Sequence, residues 1–297
     1  MKNSYDGEDG YIELLKDTLV YGEETNGRNG KVLSRFGIMI SFEDINELFP
    51  LLTTKKMFIK GIILELLWFI KGSTNANELK EKGVNIWNEN TSREFLDSVG
   101  LYDLPEGEIG AGYGHQWRSF NGEYPQKKDE KNGIDQLKYV IGELMNNSRR
   151  AVLSAWNPCQ LNKMALPPCH ILYNFYKDSK GLSCMLYMRS NDVFLGQPFN
   201  IASVALFTMI IAKVLHLPAY KISISICDLH IYEEHIDAVK KQIDRESYNL
   251  PKMIINSIPP PLSSSIDEKI KWIEELKYED FKLIDYFSHN AIKAPMK

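Results

Sequence analysis

Residues 199–217 set the first limit on how this chain folds. The run is apolar and helix-length, yet it contains Asn200, Lys213 and His216, so it reads as a buried helix rather than a membrane span. A helix of that kind needs cover on all sides. Strand-like runs at 32–40, 170–177, 182–187 and 221–227 can provide it, and amphipathic helical patterns lie at 11–20 and 134–146, with an apolar helix at 60–70 and a charged helix at 267–276. This alternation predicts an α/β (α+β) fold, a single domain over 1–297 with a large mixed or antiparallel sheet flanked by helices. The chain has 297 residues, 44% of them hydrophobic, which suffices for a sizeable core. No stretch reads as a linker.

Charge and cysteine usage narrow the function classes. A net charge of −4 gives no general surface for nucleic acid or anionic membrane, so any basic patch must be local. Cys159, Cys169, Cys184 and Cys227 have no close pair and no metal-ligand spacing. They predict a reducing compartment without disulfides or zinc. The polar, acidic start MKNSYDGEDG does not suit a signal or transit peptide. A cytoplasmic protein is expected, with the nucleus open if the source is eukaryotic.

Chemistry concentrates in residues 164–205, which offer a thiol, an anion clamp and an amide. Cys169 follows Pro167 and Pro168, so its approach is stiff and lacks donors at both prolines. Alone, such a cysteine reads as a small buried hydrophobe. Arg189 and Ser190, at the end of an apolar run, would receive a phosphate and favour a nearby thiolate. Asn200 follows a glycine–proline turn; it could cap the next helix or face a planar heterocycle. Glu65 stands alone in an apolar helix, where burial would raise its pKa towards proton-transfer duty. Tyr113 is set among glycines that leave room for a ligand, and Trp87 looks exposed in a polar loop. Arg149 and Arg150 precede a strand, where charge usually means a solvated edge. His230 and His235 are five apart, not the four of a zinc helix, and no metal is expected.

The segments PPCH, RSNDVFLGQPFNIAS and CDLHIYEEH resemble, in order, the signature segments of the thymidylate synthase family. The likeness runs from about Leu14 to the C-terminus. It implies reductive methylation of deoxyuridylate by methylenetetrahydrofolate, which serves as both carbon donor and reductant. Cys169 would add to pyrimidine carbon six, and Glu65, Tyr113, Arg189, Asp192 and Asn200 would share catalysis. The nucleotide would be held by Arg28, Arg149, Arg150, Arg189, Ser190, Asp192, Asn200, His230 and Tyr232, with His170 beside the thiol. Folate would meet Ile86, Trp87, Asn90, Asp192, Leu195, Gly196, Phe199 and Met296. The resemblance also implies a homodimer with sheets back to back, Arg149 and Arg150 reaching across into the partner's site. No fused reductase domain is expected.

Several positions depart from the family pattern. The loop at Arg28 is short by one residue and a glycine, Asn88 stands where Asp is usual, Gly110-Ala111-Gly112 predicts a looser turn, and Met188 replaces the usual Gln before Arg189. Cys227 replaces Gly, and Lys297 ends a normally apolar terminus. Residues 258–265 read as a surface insertion. Deoxycytidylate hydroxymethylase is the neighbouring enzyme class, but it would favour Asp over Asn200. An idle relative serving as an RNA-binding regulator is the alternative outside enzymes; the full set of reactive residues and the weak charge speak against it.

Overall fold

The computed structural model describes residues 2–27, 29–125 and 132–296. Its elements run β1 (Ser4–Asp6), α1 (Gly7–Tyr21), β2 (Glu23–Gly27), β3 (Gly30–Phe42), α2 (Ile59–Ile70), α3 (Asn77–Lys80), α4 (Arg93–Ser98), α5 (Tyr113–Arg118) and α6 (Gln136–Met145). They continue as β4 (Val152–Ser154), β5 (His170–Asp178), β6 (Gly181–Asp192), α7 (Gly196–Val214), β7 (Ala219–Tyr232), α8 (Ile236–Ile243), β8 (Lys252–Ile255), α9 (Ile266–Glu275) and β9 (Phe281–Ile284). The architecture is the expected mixed sheet with flanking helices. Contacts within the chain gather into two compact units, one comprising residues up to Ile59, Lys177–Asn256 and the segment from Glu279 on, the other Lys60–Tyr176 and Ser257–Tyr278.

In the first unit, β3 pairs parallel with β1 and antiparallel with β2 and β7, while β7 runs parallel to β6. Period-two patterning explains the sheet. Cys184, Leu186 and Met188 of β6 and Ile222, Ile224 and Ile226 of β7 are buried, and α7 packs on these two strands. On β6 the alternate residues Met185 and Tyr187 remain 47% and 39% exposed. Helix α7 is long and apolar enough to cross a membrane, but 83% of its apolar window is buried inside the protein. Each fully buried leucine or isoleucine here contributes roughly 1.5–3 kcal/mol. Helix α1 begins four residues before its expected start and ends before Gly22, whose φ of −66° is extended, not left-handed. A Cβ at Gly22 would lie 2.5 Å from the Thr18 carbonyl, which accounts for the glycine. Buried Glu8 accepts the backbone N–H and hydroxyl of both Thr53 and Thr54, so the turn before α2 is pinned by a carboxylate. Cys227, unexplained in the sequence, hydrogen-bonds the Tyr187 side chain.

The second unit pairs β4 antiparallel with β5 and centres on α2, α5 and α6. Helix α6 starts at Gln136, not at residue 134, because Asp135 caps it by accepting from the Lys138 N–H at 3.1 Å. Arg118, 8% exposed, binds Asp135 at 2.7 Å, Glu274 at 2.6 Å and the Ile70 carbonyl at 2.7 Å. The proline-rich insertion is more than surface decoration. Ser265 and Glu268 form a capping box on α9. Fully buried Lys269 then donates to the carbonyls of Pro261, Leu262 and Ser264, which ties the loop to the helix.

Candidate active site

The thiol group of residues lies in the second unit. Cys169 enters β5 from Pro168, and its backbone N–H donates to the Tyr113 hydroxyl at 2.9 Å. Tyr113 opens α5 with φ 22°, at the margin of the left-handed region where non-glycine residues cost energy. Packing holds it there: the ring stacks on Phe69 at 4.8 Å and meets Trp87 and His170 edge-on, each at 5.6 Å. The preceding turn is not loose. Gly110 has φ +75° and a Cβ there would sit 2.0 Å from the Lys163 carbonyl, while the Ala111 N–H donates to that same carbonyl at 2.9 Å. His170 Nδ1 meets the Tyr173 hydroxyl at 3.1 Å.

Trp87 is not the exposed wall its loop suggested. It is 8% exposed, and its indole N–H donates to Glu65 at 2.8 Å. Ile86 and Asn90 on either side are half-buried. Asn88 donates to Asn85 at 3.2 Å, so the loop keeps an internal bond despite losing the expected Asp. Burial pushes the Glu65 carboxyl up to about 7, against the opposing pull of the Trp87 hydrogen bond. A carboxyl poised there can both give and take a proton near neutral pH.

The anion and amide residues lie in the first unit, where sheet register assembles them. Parallel pairing sets Ser190 opposite Asp228 and Asp192 opposite His230, and antiparallel pairing sets Ser34 opposite His230. Asp228 consequently accepts from Ser34 at 2.5 Å and Ser190 at 3.2 Å and lies 3.3 Å from His230 Nδ1. These contacts, His230 foremost, hold its carboxyl down at about 2, against partial burial. His230 is on a strand, so the helical spacing used to weigh it with His235 does not apply; its ring meets Tyr232 edge-on at 5.0 Å. Arg189 is half-buried beside Ser190.

Asp192 organises the entry to α7. Oδ1 accepts from the N–H groups of Phe194 at 2.9 Å and Leu195 at 3.1 Å, a side-chain-mediated turn. Its other oxygen is 3.6 Å from His235 Nδ1, and His235 Nε2 donates to the Pro295 carbonyl at 2.8 Å. Burial disfavours the His235 cation, but Asp192 and Pro295 outweigh it and raise its pKa. Lys55 is buried, donates to the Phe194 carbonyl and lies 3.8 Å over that ring. Desolvation lowers its pKa to about 7, opposed by Asp192. Asn200 does not cap the helix: Leu195 is the N-cap, and Asn200 sits inside the first turns, half-buried. Leu195, Gly196 and Phe199 are also half-buried there. Apolar surface beside one carboxylate suits a flat heterocycle with an N–H edge. Met296 is 50% exposed.

Sequence reasoning missed Lys55, Asp228, Ser34 and the bridging role of His235. Lys55 stands in the run Thr53-Thr54-Lys55-Lys56, where nothing sets it apart from its neighbours. Arg149 and Arg150 are exposed between α6 and β4, and Arg28 and Lys297 lie outside the described residues. Among the described residues no group of three or more His, Cys, Asp or Glu could hold a metal.

The thymidylate synthase family model matches residues 9–297. Thymidylate synthase of Saccharomyces cerevisiae is 44% identical over 304 residues, covering 97% of this chain and 96% of that protein. The Homo sapiens thymidylate synthase is 44% identical over 295 residues, 98% of this chain and 90% of that protein. A bifunctional dihydrofolate reductase-thymidylate synthase of Plasmodium berghei is 44% identical over 291 residues. The chain spans about half of such bifunctional relatives, 48% in that case. With the match reaching from α1 past the Cys169 thiol and the β6–β7 register to the tail held by His235, the chain belongs to the thymidylate synthase family.

Proposed function

We propose that this chain converts deoxyuridylate to thymidylate with methylenetetrahydrofolate. The observation that carries the reading is the thiol segment fixed on Tyr113, in a chain whose family match begins at residue 9. Cys169 adds to pyrimidine carbon six and turns carbon five into a nucleophile. Arg189 and Ser190 bind the phosphate. Asn200 faces the pyrimidine edge, while His230 and Tyr232 take the sugar hydroxyl. Glu65 exchanges protons with water at the exocyclic oxygen, and Tyr113 assists removal of the carbon-five proton. Folate is held by the apolar start of α7, by Asp192 and by the tail; when bound it supplies the carbon unit and the hydride.

The working form is a homodimer, with Arg149 and Arg150 serving the partner's phosphate. Their exposure, and that of Met185 and Tyr187 on the sheet face opposite α7, supports this. A cytoplasmic location fits the thiols.

Mass spectrometry after mixing the protein with fluorodeoxyuridylate and methylenetetrahydrofolate tests the reaction. Fluorine cannot leave as a proton does, so a mass increase equal to both ligands is expected, absent in Cys169→Ser. A folded protein that forms no adduct would overturn the reading.

A further inference from the structure

Asp228 is a half-buried carboxylate with donors around it. Strand alternation sets it on the same face of β7 as His230, while the register brings Ser190 of β6 level with Asp228 and Ser34 of β3 level with His230. Both serines donate to it, Ser34 to Oδ1 at 2.5 Å and Ser190 to Oδ2 at 3.2 Å. The third neighbour is His230, 8% exposed, whose buried Nδ1 lies 3.3 Å from Oδ2 and hydrogen-bonds no other group of the described residues. These contacts hold the Asp228 carboxyl at about 2. It is therefore ionised near neutral pH, and it accepts hydrogen bonds without donating any.

We propose that Asp228 is a positioning residue for the nucleotide's sugar: it keeps the His230 ring proton on Nδ1, so that Nε2 presents a lone pair and accepts from the 3′-hydroxyl. This rests on the reading of His230 as the group that meets the sugar hydroxyl. A neutral imidazole has one N–H and one lone pair, and the bond made at one nitrogen decides the role of the other. With the proton on Nε2, the bare Nδ1 would face the carboxylate, acceptor against acceptor. Selection follows from this polarity. An acceptor at Nε2 requires a hydrogen on the sugar substituent, so a group that only accepts is rejected even where its size fits.

The test is calorimetric titration at about pH 8, above the ordinary histidine range, with nucleotides that differ only at the 3′ position. The hydroxyl of deoxyuridylate donates and accepts, its 3′-fluoro analogue only accepts, and 2′,3′-dideoxyuridylate does neither. In wild type both analogues should bind about tenfold more weakly than deoxyuridylate, the fluoro compound no better than the dideoxy one. In Asp228→Ala the proton is free to move to Nε2, and the fluoro penalty should fall to about twofold. Ser34→Ala, which removes another donor from the same carboxylate and leaves His230 its partner, should keep the wild-type pattern. Nitrogen-15 NMR of the His230 ring should show Nδ1–H in wild type and a shift towards Nε2–H in Asp228→Ala; the wild-type spectrum decides the tautomer even if the alanine variant does not fold. Nε2–H in wild type would overturn the Asp228 role, as would a fluoro penalty that is absent in wild type, unchanged in Asp228→Ala, or equally reduced in Ser34→Ala. If dideoxyuridylate also binds wild type as tightly as deoxyuridylate, His230 does not read the hydroxyl, and the underlying reading falls with it.

Discussion

At the scale of single residues, the sequence exposes a group whose chemistry conflicts with its neighbours. Glu65 is such a group, an acid in an apolar helix, and the structure gives it a raised pKa of about 7 and an indole donor. The partner was not legible, because a tryptophan in a polar loop carries no signal of which way its ring turns. Glu65→Gln tests both parts, since Gln can still accept the Trp87 hydrogen bond but cannot titrate. The ordinary carboxyl value is 4.5 and the folded one about 7; the folded protein keeps a proton that the unfolded chain releases. The stability Glu65 lends is therefore complete below the ordinary value and disappears as pH climbs to the folded one. Thermal melting should show the Gln variant gaining on wild type between pH 4.5 and pH 7 and level thereafter. Turnover should drop roughly a hundredfold or more, as for loss of a general acid–base group.

At the scale of elements, the strands were readable because inward residues recur with period two, and α7 because its apolar run is too long for a strand. Ends were less readable; they depend on caps such as Asp135 and Ser265, which single side chains decide. Register was not readable at all. Ser34 and Asp228 are 194 residues apart in the chain, and only the pairing of β3 with β7 brings them to one carboxylate. The same limit hid the link from Asp192 through His235 to Pro295, which joins the start of α7 to the tail. Asp192→Ala should remove the acceptor for two backbone N–H groups and cost about 2–3 kcal/mol in chemical denaturation. Asp192→Asn keeps an acceptor and should cost less than about 1 kcal/mol, yet it removes the charge facing His235. Because the folded His235 pKa is raised, its stabilisation is full below the ordinary histidine value and lost as pH rises through the raised one. An NMR titration of His235 should therefore show a lower pKa in the Asn variant, with tail protection from hydrogen exchange less dependent on pH. Unchanged His235 titration would mean that Asp192 acts only on the backbone turn.

At the scale of the whole molecule, the two adjacent arginines bear on assembly. Arg149 and Arg150 are exposed, in a protein of net charge −4, so their charge is local and free to serve a phosphate elsewhere. The sheet offers a second feature. Met185 and Tyr187 line its face opposite α7 and keep apolar surface accessible, the kind of patch that marks an interface when contiguous. If two copies meet there and exchange arginines, each site draws its thiol from one chain and part of its phosphate clamp from the other. Cys169→Ser and the double substitution Arg149→Ala, Arg150→Ala would each be nearly inactive alone. Mixed under conditions that let subunits exchange, about half the dimers become hybrids, each with one site intact and one doubly defective, and activity should recover to about a quarter of wild type. Sites built within one chain predict no recovery at any mixing ratio. Sedimentation of the same mixture shows whether exchange took place, so an inactive mixture of fully exchanged dimers would remove the shared site while leaving the reaction itself standing.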